Sequence, residues 1–160
     1  MDKIYIICID DQQEVLNAVI DDIDMLSEKF YLEECDSAGE AQELMEQVQQ
    51  AGDYVGIVIS DHVMPELTGV DFLSGLNASG EYPHLKKVLL TGLATHEDTM
   101  TAINNAHIDY YIPKPWKKEH LIQVVKKLLT AFILETGLDY NQYMEFLDQE
   151  TLFNNLKGRV

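Results

Sequence analysis

Three carboxylates, one hydroxyl and one ammonium stand where this sequence can do chemistry. Asp10 and Asp11 close the apolar run Lys3–Ile9, and Asp61 closes Ile57-Val58-Ile59-Ser60. Thr91 follows the run Lys87–Leu90, and Lys114 follows Asp109–Ile112 after one proline. Carboxylates gathered within a few ångströms repel one another, and a hard divalent cation with oxygen ligands relieves the repulsion. Mg²⁺ suits such a cluster, because it takes one or two carboxylates, keeps several waters and leaves room for phosphate oxygens. A hydroxyl and an ammonium facing the cation suit a phosphoryl group: Thr91 donates a hydrogen bond and Lys114 supplies a point charge. A carboxylate can also attack phosphorus and carry an aspartyl phosphate, and Asp61, at the end of the central run, is the candidate nucleophile. Positioning supplies most of the rate in chemistry of this kind.

Residues as far apart as Asp10 and Lys114 meet only if the runs before them are strands of one parallel sheet, with their carboxyl ends on one edge. The patterning predicts such a sheet. Lys3–Ile9, Phe30–Cys35, Val55–Ser60, Lys87–Leu90 and Asp109–Ile112 are short apolar runs, as strands buried on both faces are. Helical spacing separates them. Val15, Leu16, Val19, Ile20 and Ile23 mark a helix from Gln12 to about Leu26. Ser37-Ala38-Gly39-Glu40 matches a capping box, and the helix it opens carries Ala41, Leu44, Met45 and Val48 inward. Further helices are expected over Gly69 to about Leu76, over His96 to Asn105, and from Lys117 onward with Leu121, Val124, Val125, Leu128, Leu129 and Phe132 on one stripe. This alternation predicts an α/β fold, a doubly wound sandwich with helices on both faces of a five-stranded parallel sheet. Gly137 predicts a left-handed cap at the end of the last of these helices. Beyond it, the apolar residues Tyr140, Tyr143, Met144, Leu147, Leu152, Phe153 and Leu156 predict one further helix over Asp139–Leu156, which the sandwich itself does not require.

Composition narrows the class. A chain of 160 residues can bury one sizeable core, and an apolar fraction of 46% argues against disorder. The formal charge is -17 and the single arginine is Arg159. Clustered basic residues are what a phosphate-backbone reader needs, so direct nucleic-acid binding is not expected. No apolar run is long enough to span a membrane, and Met1-Asp2-Lys3 leads straight into a strand without a secretory leader. A soluble, cytoplasmic chain is expected. Cys8 and Cys35 lie in apolar stretches and read as buried thiols, not as a disulfide framework.

Asp10-Asp11, Asp61 with Met64-Pro65 and Gly69 behind it, Thr91-Gly92, and Lys114-Pro115 together resemble the response-regulator receiver domain of two-component signalling, over about residues 3 to 133. Each of these pairs is common alone; the match in identity, order and strand-end context carries the resemblance. It implies a flavodoxin-like sheet of order 2-1-3-4-5, with residues 1–135 as the receiver and 136–160 as a C-terminal helical extension. It implies that Asp61 is the phosphoacceptor. Asp11 would ligate Mg²⁺ directly and Asp10 mainly through water, with Asp61 and the backbone carbonyl of Val63 as further ligands. Thr91 and Lys114 would hold the phosphoryl oxygens, and the Lys114–Pro115 peptide would be cis. Tyr111 would be the switch aromatic, turning inward as Thr91 moves toward the phosphoryl group. The runs Leu90-Thr91-Gly92 and Tyr110–Trp116 look most like receivers joined to cyclic-nucleotide or metal-dependent phosphohydrolase outputs.

Blander readings exist for each residue. Asp11 and Thr91 could simply cap helices, Lys114 could be an exposed loop lysine, and Tyr111 could be plain packing; jointly, the five strand-end positions favour a site. His62, beside the acceptor, is expected to face solvent, and His84, His96, His107 and His120 lack metal-ligand spacing. A metal-dependent phosphatase would need a general acid two residues after its nucleophile, where Val63 stands, and a cap domain. An interaction scaffold with a receiver fold that ignores phosphate would usually lose one of the five residues. The expected function is therefore acceptance of a phosphoryl group on Asp61, in a Mg²⁺-dependent reaction, from a histidine kinase or phosphotransfer protein. The chain would not be an enzyme beyond its own phosphorylation and dephosphorylation. Phosphorylation would repack Thr91, Tyr111 and the face formed by the helix near His96–Asn105, the fifth strand and the helix from Lys117. That face and the C-terminal tail are the expected seam of a homodimer. About twenty-five residues follow the receiver, too few for an output domain. The output is thus expected outside this chain, which is a stand-alone regulator or a piece of a longer one. Val63 and Leu93 offer little polar help to an attacking water, so slow self-dephosphorylation is expected.

Overall fold

The apolar runs form five strands, β1 Ile4–Ile9, β2 Tyr31–Cys35, β3 Tyr54–Ser60, β4 Lys86–Thr91 and β5 Tyr110–Pro113, in a computed structural model that describes residues 2–92, 97, 100, 104 and 106–158. All neighbouring strands are parallel and lie in the order β2-β1-β3-β4-β5, as expected. The period-two alternation of strands sorts the side chains into two cores. Ile4, Ile6 and Cys8 of β1 face helices α1 (Gln13–Ile23) and α4 (Lys118–Thr136). Ile7 and Ile9 face α2 (Ala38–Gln50) and α3 (Gly69–Ser79) on the other side. Because both faces are covered, β1 and β3 are buried almost throughout, which is why their sequences read as continuous apolar runs and not as alternation.

Local chemistry sets the helix ends. Ser37 Oγ accepts the Glu40 N–H at 3.1 Å and starts α2. The return arm of that capping box is displaced by one residue, with Glu40 Oε2 accepting the Asp36 N–H at 3.4 Å. Thr68 caps α3 through the Asp71 N–H. Gly80 and Gly137 end α3 and α4 in the left-handed region, with φ of 69° and 77°. In β3 the register against β1 slips by one residue at Gly56. A Cβ there would lie 2.9 Å from Ile4 Cγ2 and 3.4 Å from the Phe132 ring, so the bulge lets α4 approach the sheet closely.

The helix expected over His96–Asn105 lies outside the described residues except for Glu97, Met100 and Asn104, which are helical. Leu93 and Arg159 also lie outside them.

After Gly137 the structure departs from the single helix expected over Asp139–Leu156. A 3-10 segment, Tyr140–Phe146, is followed by an extended Leu147 and then by helix α5 (Gln149–Lys157). Asp148 causes the break. Its carboxylate accepts both the Thr151 N–H and the Thr151 hydroxyl, capping a new helix, while its own N–H donates to Thr130 Oγ1 of α4 at 2.9 Å. The segment folds back on the first core: Tyr143, Phe146, Leu147 and Leu152 are buried there. Tyr143 stacks on Phe30 at 5.5 Å, and its hydroxyl donates to the Asp2 carbonyl at 2.9 Å. Among the described residues, no helix is long and apolar enough to cross a membrane.

Candidate functional site

The carboxyl edge of the sheet collects the residues that the sequence singles out. The β1–β3 ladder continues one step past the strands, with the Asp61 N–H donating to the Ile9 carbonyl at 3.0 Å, so Asp10 and Asp61 leave adjacent strands side by side. One carboxylate oxygen from each of Asp10, Asp11 and Asp61 lies within 4.8 Å of the others. Asp10 and Asp61 are buried, whereas Asp11 is exposed. Thr91 and Lys114 arrive from β4 and from the loop after β5. A cleft of about 210 Å³ is lined by Asp11, Asp61, Val63, Thr91 and Lys114, with Gln12 and Gly92 completing the wall.

The hydrogen bonds give each carboxylate a different role. Each oxygen of Asp10 accepts one hydrogen bond: Oδ1 from the Gln12 N–H at 2.9 Å and Oδ2 from Lys114 Nζ at 2.9 Å. The residue before α1 is Gln12, which makes no side-chain cap, so the capping reading of Asp11 fails. Asp11 is exposed and lines the cleft. Asp61 Oδ1 accepts the His62 N–H at 2.8 Å and lies 3.6 Å from Lys114 Nζ. Lys114 pairs with both Asp10 and Asp61. One ammonium against three carboxylates leaves a charge that a divalent cation balances, and the donors are all hard oxygens. The residues present fit Mg²⁺ on that chemistry.

Tyr111 and Thr91 are physically coupled. The Thr91 carbonyl accepts both the Tyr111 hydroxyl and the Lys114 backbone N–H, each at 3.2 Å. A shift of Thr91 therefore reaches the β5 aromatic and the lysine together. The Lys114–Pro115 peptide is cis, as the resemblance implies. Trp116 packs on the first core and donates its indole N–H to Asp22 of α1 at 2.8 Å, tying the lysine loop across to that helix. His62 is half-buried, not solvent-facing as its loop position predicts.

Two supports of the site are not apparent as such in the sequence. The buried Ser60 hydroxyl donates to the Asp61 carbonyl at 2.8 Å, fixing the backbone that carries the carboxylate. Gly69 opens α3 directly against that same carbonyl: a Cβ there would stand 2.0 Å from the Asp61 oxygen, and the Gly69 N–H donates to the His62 carbonyl at 2.8 Å. The glycine belongs to the recognised pattern, but its reason is this close approach, which only the folded loop reveals.

Comparison with known proteins converges on one family. Residues 6–126 match the family model described as "response regulator receiver domain". The chain is 34% identical over 106 residues to the hydrogenase transcriptional regulatory protein HoxA of Cupriavidus necator, a match covering 66% of this chain and 20% of that one. It thus spans about a fifth of that relative, and a match to HoxA of Bradyrhizobium diazoefficiens spans 25%. Among solved structures, the signal receiver domain of an HD domain-containing protein from Pseudomonas fluorescens Pf-5 superposes with a TM-score of 0.74 at 25% identity. That match covers 86% of this chain and 94% of the other. A CheY-like receiver domain protein from Methanospirillum hungatei JF-1 gives a TM-score of 0.71 at 24% identity, over 84% and 99% of the two chains, and shares the fold.

Proposed function

Because this chain belongs to the response regulator receiver domain family, we propose that it is a phosphoryl-accepting switch in two-component signalling, with Asp61 as the acceptor. The observation that carries the reading is the buried Asp61 carboxylate, held beside two more carboxylates and within 3.6 Å of the Lys114 ammonium. A carboxylate oxygen of Asp61 attacks the phosphorus of a phosphohistidine on a histidine kinase or phosphotransfer protein. The phosphorus–nitrogen bond breaks as the new phosphorus–oxygen bond forms, and the imidazole leaves and takes up a proton. Asp11, Asp61, the Val63 backbone carbonyl and, through water, Asp10 would hold Mg²⁺, whose charge offsets that of the transferring group when it is bound. The Thr91 hydroxyl donates to one phosphoryl oxygen and Lys114 pairs with another.

The switch follows from the shared carbonyl of Thr91. When the Thr91 side chain is drawn to the phosphoryl group, the two hydrogen bonds at its carbonyl change, and Tyr111 repacks beside β5 on the face of the sheet that α2 and α3 cover. Phosphate biases this equilibrium only by binding one arrangement better than the other. The partner kinase and the output are cytoplasmic in this account, and the output lies in a separate protein or in further sequence joined to this one. The side formed by residues 96–105, β5 and α4, together with the C-terminal tail, serves as a dimer seam; a monomer by sedimentation with and without a phosphate mimic removes that part.

The test is the intact mass of the chain after incubation with a small phosphoramidate donor, with Mg²⁺ and with a chelator. One added phosphoryl group in Mg²⁺ and none in chelator is expected. None in either, with Mg²⁺ binding confirmed by calorimetry, supports the phosphate-independent scaffold instead.

A further inference from the structure

The loop of residues 113–117 carries Lys114, whose ammonium bonds Asp10 at 2.9 Å and stands 3.6 Å from Asp61. Its backbone offers few donors. Pro113 and Pro115 have no N–H, and Lys117, the residue before α4, makes no side-chain cap. The Lys114 N–H donates to the Thr91 carbonyl, but in the proposed switch that carbonyl moves. The loop has a second tie, to α1. The Trp116 indole N–H donates to Asp22 Oδ2 at 2.8 Å while the ring packs on the first core.

Local preferences argue against a carboxylate at position 22. It falls in the last turn of α1, where the carboxyl end of the helix is already partly negative. The nearby Asp21 and Asp24 are exposed, but Asp22 is half-buried, and no lysine or arginine among the described residues pairs with it. Its gain lies in the bond to Trp116, because an ionised acceptor makes a stronger hydrogen bond than a neutral one. α1 begins directly after Asp10, Asp11 and Gln12, and Leu16, Val19 and Ile23 seat it in the first core. Asp22 therefore ties the lysine loop to the helix that follows the two carboxylates, by a route that does not pass through Thr91.

We propose that Asp22 is a positioning residue for phosphoryl transfer: through the Trp116 indole it holds the loop so that Lys114 keeps its place between Asp10 and Asp61 while Thr91 moves. The inference rests on the reading of Asp61 as the acceptor. The test is the initial rate of phosphoryl uptake by the full chain, in Mg²⁺, from the small phosphoramidate donor. Trp116→Phe keeps an aromatic ring on the core and deletes the N–H, and Asp22→Leu deletes the acceptor at similar size. Each should slow uptake about tenfold, part of what a displacement of about 1 Å costs, and the double variant should be no slower than either alone. Asp22→Asn keeps a carbonyl acceptor and should stay within about threefold of wild type. The indole N–H signal of Trp116, the single tryptophan of the chain, reads the bond itself in ¹H–¹⁵N spectra and should move further in Asp22→Leu than in Asp22→Asn. Tyr143→Phe is the control. It loses a hydrogen bond on the same core away from the site, and should unfold earlier in denaturant yet take up phosphate at the wild-type rate. Unchanged uptake in Trp116→Phe or Asp22→Leu, additive losses in the double variant, or equal slowing in Asp22→Asn and Asp22→Leu would overturn the proposal, as would slow uptake by Tyr143→Phe. A wild type that takes up no phosphoryl group overturns the reading of Asp61 and this inference with it. A wild type that does, with variants that match it, overturns this inference alone.

Discussion

Replacing Gly69 by alanine perturbs the acceptor without touching any charged group. The added Cβ would lie 2.0 Å from the Asp61 carbonyl oxygen, 2.9 Å from its carbon and 3.0 Å from the His62 Cα. Ordinary carbon–oxygen contacts begin near 3.3 Å, so the start of α3 and the end of β3 must separate by about 1 Å. All three obstructing atoms are backbone, and no rotamer change can absorb the clash. Overpacking of this kind costs about 1–3 kcal/mol, and weakening the Gly69–His62 hydrogen bond adds about 1 kcal/mol. Alanine returns up to about 1 kcal/mol through helix propensity, leaving a net loss of about 1–3 kcal/mol. The displacement falls on the residue that carries the nucleophile, and a misplacement of about 1 Å can cost on the order of 100-fold in rate. Denaturant unfolding reads the first effect, and the initial rate of phosphoryl uptake in Mg²⁺ reads the second. Gly75→Ala is the control: it lies in the same helix with nothing within 4 Å of its Cβ, and should be neutral or stabilising. A Gly69→Ala chain as stable as wild type and phosphorylated at the same rate would refute the reasoning.

Tyr143→Ala should destabilise the whole domain by about 3–5 kcal/mol in denaturant unfolding, because the ring is part of the first core; a loss under about 0.5 kcal/mol would mean that the tail is an independent appendage. Asp148→Ala should cost about 1 kcal/mol as a lost cap. Hydrogen bonds from Thr151 hold the Asp148 carboxyl below its ordinary 3.8; with the folded value depressed, this stabilisation is complete above 3.8 and fades as pH falls through the folded value. The stability gap between wild type and Asp148→Ala should therefore narrow in acid, and a gap constant with pH contradicts it. Burial pushes the Cys35 thiol up to about 12 and the Cys8 thiol higher still. Both should react with a thiol reagent at neutral pH only on unfolding, as timed alkylation would show.

How much was legible follows from range. The strands announce themselves because burial on both faces demands apolar runs, and the site residues are visible because each stands at the end of one. Ser37 and Gly137 act within a turn or two, so their caps are local statements. The Gly56 bulge was not legible, since its cause is Phe132 and Ile4 approaching from distant segments. Tyr143 and Leu147 fit a helical stripe by spacing, but the packing of Tyr143 and of Phe146, which is not on that stripe, against Phe30 is long-range, and the reason for Asp148 lies in Thr151 and Thr130, which converge on it. The reason for Gly69 has the same origin: a contact with a carbonyl eight residues back that exists only once the Asp61 loop has turned.

The central claim is that Asp61 is the residue that takes the phosphoryl group. Wild type and Asp61→Asn should be incubated with Mg²⁺ and the small donor, reduced with borohydride to trap any acyl phosphate, digested, and mapped by tandem mass spectrometry. The account predicts a single reduced residue at position 61 in the wild type and none in the variant. A trapped residue elsewhere in the wild type, or equal phosphorylation of Asp61→Asn, would contradict it.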